Sequence, residues 1–297
     1  MDMPLRDKVT IGTLLQKKRD GRKFSVLTCY DHTSARIMEE AGIDSLLVGD
    51  TYAEVCLGHS TTLPATVELL VTLAEAVRRG APTAYLIGDM PYLSYQVCPM
   101  EAIRNAGLFM ARAGCDCVKV EADRRLLPTV EAMTAATIPV MVHLGLLPQS
   151  IQRTGGYKIQ GKRAPDAVRI IEDAKMMEDA GAVALLLEAV PTEVAERITR
   201  STSLPVVGIA SGPKCDGQVV VMHDMLGFGG GHPPKSVKKY ADLHGQILAA
   251  FRAFAQEVVE EKFPAPEHAT RMSVEESREL ERILLQSSAA RVDVRGQ

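Results

Sequence analysis

An excess of charge of either sign is missing: 34 Lys and Arg stand against 37 Asp and Glu, a net charge of −3. That balance leaves no electrostatic footprint for nucleic acid. The basic patches GKR (161–163) and KSVKK (235–239), with Lys17-Lys18, read as solvated faces. No apolar run reaches membrane-spanning length, and the first residues lack the apolar core of a secretory leader, so no membrane partner and a cytoplasmic location are expected. The six cysteines are then expected to stay reduced. Cys115 and Cys117 form a lone C-x-C with no second pair at metal-ligand spacing, and read as small buried hydrophobes. A Gly-rich phosphate turn is also missing. CYDHTSAR (29–36) occupies the place after the first strand where a dinucleotide-binding sheet would carry one.

What the chain does have is a series of short apolar runs closed by polar groups. SLLVGD (45–50) and AYLIGD (84–89) end in Gly-Asp; CVKVEA (117–122), PVMVHL (139–144) and ALLLEA (184–189) carry polar residues near their ends. Alternation along a strand puts Lys119 and Glu121 on one face, as it does Met141 with His143 and Leu186 with Glu188. Consecutive strands therefore deliver Asp50, Asp89, Lys119, Glu121, His143 and Glu188 to one end of a parallel sheet.

The runs are linked by a repeat. EEAGIDSLLVGD (39–50), ARAGCDCVKVEA (111–122) and EDAGAVALLLEA (178–189) each read as a last helical turn, an Ala-Gly terminator, a short connection and a strand. Helices are expected between them: one capped near Asp31 and ended by Gly42, one over 66–80 capped by Thr66, and one opening at Pro99. Strands starting near 24, 45, 84, 117, 139, 184, 204 and 218 make eight βα units, which favour a closed (β/α)8 TIM barrel over an open sheet. A long helix is expected from about Ser236 to Glu261. The barrel is assigned to residues 1–263, and residues 264–297 to a C-terminal helical extension: a linker, an amphipathic helix over 274–288 and a disordered tail.

Any single carboxylate at a strand end can cap the following helix. Four of them beside a lysine and a histidine crowd like charges, and a hard divalent cation relieves that crowding most simply. Mg²⁺ is the expected ion, with Asp50 and Asp89 as first ligands and Glu121 as a third, direct or through water. Glu188 reads as a general base. Lys119 either forms a Schiff base with a carbonyl substrate or stays protonated and binds a carboxylate; its position two residues before Glu121 favours the second. His143 either polarises a carbonyl or is a hydrogen-bonded core histidine. His32 and His59 are weaker candidates, and the Gly-rich loops 153–162 and 210–218 are weak anion-binding signals.

With these residues in place, the chain resembles the ketopantoate hydroxymethyltransferases of the phosphoenolpyruvate/pyruvate barrel group. The motifs TCYDHTSARIMEEAG, LLVGDT, LGHSTTLPATVE, GDMPYLSYQ, VKVEA, PVMVHLGLLPQS, GGYKIQGK, LLLEAVP and CDGQVVVMHDMLG appear in family order over roughly residues 8 to 270. The resemblance implies Mg²⁺ on Asp50, Asp89 and Glu121. It implies a 2-oxo acid contacted by Asp50, Thr51, Asp89 and Lys119, and Glu188 as proton acceptor. The implied reaction carries the methylene carbon of 5,10-methylenetetrahydrofolate to 3-methyl-2-oxobutanoate, giving 2-dehydropantoate for pantothenate biosynthesis, through a metal-stabilised enolate. The implied assembly is a cytoplasmic homo-oligomer, a homodecamer. The nearest alternative is a Mg²⁺-dependent aldolase or lyase of the same group. This chain departs from the family pattern at Thr51-Tyr52-Ala53-Glu54, Ser60, Leu93, Val142 and Ser211.

Overall fold

The computed structural model describes residues 6–156, 158–231 and 234–293. Eight strands close a parallel barrel in sequence order: β1 Phe24–Thr28, β2 Ser45–Val48, β3 Tyr85–Asp89, β4 Cys117–Glu121, β5 Val140–Gly145, β6 Ala184–Glu188, β7 Val206–Ile209 and β8 Gly217–Val220, with β8 pairing back onto β1. The helices are α1 Ile11–Arg19, α2 His32–Glu40, α3 Tyr52–Val55, α4 Val67–Gly80, α5 Pro99–Ala111, α6 Leu127–Ala135, α7 Ile151–Thr154, α8 Ala164–Asp179, α9 Thr192–Ser201, α10 Met222–Met225, α11 Leu243–Val259 and α12 Val274–Asp293.

Strand alternation sorts the apolar residues into two cores. Val26, Leu47, Ile87, Cys117, Met141, Leu186 and Val207 fill the barrel interior. Leu46, Leu86, Val118, Val140, Leu185 and Val206 face outward against the helices. Helix α4 shows how the outer layer is built. Thr66 caps it by accepting from Leu69 N–H, and Leu70, Val71, Ala74 and Val77 form its buried stripe. Each buried Leu or Val of that stripe contributes roughly 1.5–3 kcal/mol. Arg78 and Arg79 close its last turn, where positive charge favours the helix dipole.

The Ala-Gly terminators work as the repeat predicts. Gly42, Gly114 and Gly181 all adopt positive φ (75°, 63° and 89°), the left-handed turn that ends a helix and starts a strand. Register then sets the chemistry. Asp89 pairs with Lys119 across β3–β4, and Glu121 with His143 across β4–β5. The cysteine reading also agrees with the structure: Cys115 and Cys117 are free and buried, and burial pushes the Cys115 thiol up to about 12.

The chain divides into compact units at 1–243 and 244–297, whereas the sequence suggests a boundary near 263. The helix expected from Ser236 begins only at Leu243. Backbone N–H groups of Tyr240 and Leu243 are instead used to pair the carbonyls of Met225 and Leu226 at the end of α10, which holds this stretch out of a helix. Within the second unit α11 buries no residue, and Phe263 packs edge-on to Phe254 with ring centroids 5.5 Å apart. Helix α12 extends to Asp293, beyond the expected end at 288 and into the tail expected to be disordered; residues 294–297 lie outside the described residues. Among the described residues no helix is long and apolar enough to cross a membrane.

Candidate active site

The strand ends meet in a small cavity of about 50 Å³ at the C-terminal mouth of the barrel. Asp50, Thr51, Asp89, Lys119, Glu121, His143 and Glu188 all line it, so the strand-end residues expected at the site, and Thr51, are brought to one place. His32 and His59 are not among its lining residues.

Lys119 stands at the centre of the charge balance. Its Nζ donates to Asp89 Oδ1 at 2.5 Å, and both side chains are almost fully buried. Burial disfavours the ammonium, but Asp89, Asp50 and Glu121 outweigh that effect and hold its pKa above the ordinary lysine value. A permanently charged lysine is a poor Schiff-base nucleophile and a good partner for a substrate carboxylate.

Asp50 follows Gly49 just beyond β2. Its backbone N–H donates to Asp89 Oδ2 at 3.1 Å, and its Oδ2 accepts from Gln149 Nε2 at 2.9 Å. Burial, reinforced by the neighbouring Asp89, pushes its carboxyl up to about 7. Burial also holds Glu121 well above the ordinary glutamate value, against the opposing pull of Lys119. Its Oε2 accepts from Gln149 N–H at 2.9 Å, but the buried Oε1 has no hydrogen-bond partner.

His143 lies between two carboxylates. Its Nδ1 is 3.8 Å from Glu121 Oε1 and its Nε2 is 3.3 Å from Glu188 Oε2. Neither approach meets full hydrogen-bond geometry, the one to Glu188 being the nearer. Burial lowers its pKa, partly offset by Glu188, which favours the neutral ring. Glu188 is the most open of these groups, with its side chain 20% exposed to the mouth.

Gln149 and Tyr95 tie the acids together and were not singled out in the sequence. Tyr95 Oη donates to Gln149 Oε1 at 2.7 Å and accepts from Glu121 N–H at 2.9 Å. Gln149 is aimed inward by the short 3-10 turn Pro148–Ser150. Their signal was their place in the PYLSYQ and LLPQS loops, which carry no strand-like period. Thr51 is held by Tyr30, whose hydroxyl lies 2.7 Å from Thr51 Oγ1, and the Tyr30 ring rests against Tyr52 at 5.5 Å. Two other departures also have structural consequences. Ser211 donates its hydroxyl to Leu187 O at 2.9 Å, securing the end of β6 beside Glu188. Leu93, at φ 64°, occupies a left-handed conformation that glycine adopts without strain.

Among the described residues no three acid, histidine or cysteine side chains converge as a ready-made metal cage. Three buried carboxylates (Asp50, Asp89, Glu121) nevertheless face one ammonium, and one carboxylate oxygen is orphaned. That arrangement suits Mg²⁺ held by one or two carboxylates and completed by water and substrate oxygens.

A parallel (β/α)8 barrel with an acidic, lysine-bearing cluster at the C-terminal ends of its strands defines a barrel enzyme. The chain belongs to the ketopantoate hydroxymethyltransferase family, whose model matches residues 8–266. It is 44% identical over 261 residues to the 3-methyl-2-oxobutanoate hydroxymethyltransferase of Syntrophomonas wolfei, covering 88% of this chain and 95% of that one. The enzyme of the same name from Pelodictyon phaeoclathratiforme is 45% identical over 265 residues, with 88% and 96% covered. Among solved structures the barrel is similar to 2,3-dimethylmalate lyase (TM-score 0.55, 17% identity, 97% and 98% covered). It is also similar to phosphonopyruvate hydrolase in complex with oxalate and Mg²⁺ (TM-score 0.57, 14% identity, 94% and 97% covered). At those identities the likeness is one of fold.

Proposed function

We propose that this enzyme transfers a hydroxymethyl group from 5,10-methylenetetrahydrofolate to 3-methyl-2-oxobutanoate, giving 2-dehydropantoate in pantothenate biosynthesis. The observation that carries the reading is the meeting of Asp50, Asp89, Lys119, Glu121, His143 and Glu188 around one small cavity in a chain of this family. Lys119 binds and orients the substrate carboxylate with its ammonium, and Thr51, fixed by Tyr30, borders the same cavity. Glu188 removes the proton from C3; its partial exposure lets it reach a bound keto acid, and neutral His143 keeps a nitrogen beside its carboxylate. C3 then forms its bond to the donated carbon. Water supplies the hydroxyl, both C–N bonds of the donor's methylene bridge break, and the proton taken from C3 and one from water pass to the two freed nitrogens as tetrahydrofolate leaves.

Asp50 and Asp89 would hold Mg²⁺, with Glu121 completing the set directly or through water. When bound, the ion supplies Lewis-acid polarisation of the keto oxygen, which acidifies the C3 proton. Family membership also supports a cytoplasmic homo-oligomer, and light scattering on the purified chain checks the assembly.

Turnover is measured with the keto acid, the folate donor and Mg²⁺, with and without chelator. The expected result is product formation that needs both donor and metal. Turnover with a free aldehyde but none with the folate donor would overturn the reading in favour of an aldolase of the same barrel group.

A further inference from the structure

The inner cavity, at about 50 Å³, has no room for a folate, so the donor must be seated beside it. A second hollow of about 260 Å³ shares Glu121 with that cavity and continues past Tyr92, Tyr95 and Gln96 to Arg125 and Arg153. It opens in turn into a third of about 490 Å³, with which it shares Asp123, Arg125, Leu147, Ser150 and Arg153. Together they form a groove of the size that small-molecule cofactors occupy.

The chemistry changes along its length. Near Glu121 the walls are aromatic and amide: Tyr92 is 42% exposed, and the Gln96 amide stands 3.0 Å from Gln149 Oε1. An exposed tyrosine offers a stacking face, and an amide matches the donor and acceptor edge of a fused heterocycle. Farther out the walls turn to arginine. Arg124 is committed to Asp173 and Glu172, and Arg125 to Asp123. Arg153 and Arg169 line the same groove beside Asp123, Asp166 and Asp173; Arg153 acts on the Asp123 carboxylate through space without closing a contact ion pair with it. Guanidinium groups at the far end of a groove are suited to carboxylates.

We propose that this groove is the docking site of the one-carbon donor, with the pterin against Tyr92 and Gln96 and the glutamate carboxylates on Arg153 and Arg169. The assignment rests on the folate-dependent reading above and adds to it a direction of approach. The methylene carbon enters the small cavity past Glu121, on the side of the barrel formed by the loops after β3, β4 and β5.

The test uses the full-length enzyme and separates donor binding from keto-acid chemistry. Arg153→Ala and Arg153→Glu are compared with wild type in two assays: KM for 5,10-methylenetetrahydrofolate, and exchange of the keto-acid C3 proton with D₂O in the absence of donor. Loss of one charge-assisted contact predicts about a tenfold rise in donor KM, larger for Glu. Exchange is expected to stay at the wild-type rate, which also shows that the variants fold. With a methylenetetrahydropteroate donor lacking glutamate, the same substitutions are expected to have no effect on KM. Tyr92→Ala is expected to raise KM for both donors, and Tyr92→Phe to restore it. An unchanged donor KM in Arg153→Glu and Tyr92→Ala overturns the groove while the transferase reading stands. Proton exchange by a wild-type enzyme that never turns over a folate donor overturns both.

Discussion

Lys119 and Asp89 are direct partners in the register of β3 and β4, and their side chains close a 2.5 Å ion pair inside the barrel mouth. The pair is buried on both sides, so its members are not interchangeable with surface charges. Lys119→Met removes the only ammonium lining the small cavity among the described residues and leaves Asp89 unpaired. Breaking a buried pair from one side costs about 3–5 kcal/mol. Urea unfolding of the metal-free protein measures this, and Asp89→Asn in the same chain should recover much of the loss. An undiminished midpoint for Lys119→Met would show that the pair contributes nothing.

Glu188→Gln tests the base. Exchange of the C3 proton of 3-methyl-2-oxobutanoate with D₂O should fall by roughly 10²–10⁴-fold, the usual contribution of a positioned base. Binding of the keto acid should persist, because Lys119 is untouched. Undiminished exchange, followed by NMR, removes Glu188 from that role.

The proposed Mg²⁺ site predicts a pH dependence through Asp50. Burial and Asp89 raise its carboxyl to about 7, above the ordinary 3.8. A raised carboxyl binds its proton more tightly in the folded state, so the metal-free protein loses stability as pH rises from near 4 through about 7. A cation that takes the place of that proton binds better above this window than below it. The rise in Tm produced by Mg²⁺ should therefore be larger at pH 8 than at pH 5, and Asp50→Asn should flatten the difference. Equal shifts at both pH values would exclude Asp50 as a ligand.

Gln149→Ala leaves Asp50 Oδ2 and Met90 O without their amide donor. The expected loss is about 1–3 kcal/mol of stability. Keto-acid exchange should weaken as well, since the same side chain holds Asp50 in place. A variant with wild-type stability and exchange would show that the contact is dispensable.

Leu93→Gly relieves a strained backbone. Leucine at φ 64° costs roughly 1–2 kcal/mol against a right-handed conformation. Glycine gives back part of that gain through the greater freedom of its unfolded chain. The net expectation is a small rise in Tm, measured by thermal unfolding. A fall in Tm would mean that the Leu93 side chain, 51% exposed, contributes packing that outweighs the strain.

Much of the barrel was legible because its signals are local. Each Ala-Gly terminator announces the next strand, and the alternation of Lys119 with Glu121 announces which face points inward. The strand-end acids were legible for the same reason. Gln149 and Tyr95 were not, since a loop has no period and its side chains are aimed by contacts distant in sequence, here 54 residues apart. The late start of α11 has a similar origin. Nothing in residues 236–243 reveals that the amides of Tyr240 and Leu243 are claimed by the carbonyls of Met225 and Leu226.

Asp89, Glu121, His143 and Glu188 each arrive on a different strand, and adjacent strands fix their spacing. Slipping a single strand by one residue would turn its reactive group toward the surrounding helices. Catalytic competence is thus a report on closure of the whole cylinder. During refolding it should return together with the last strand pairing to lock, and no partly zipped intermediate should show it.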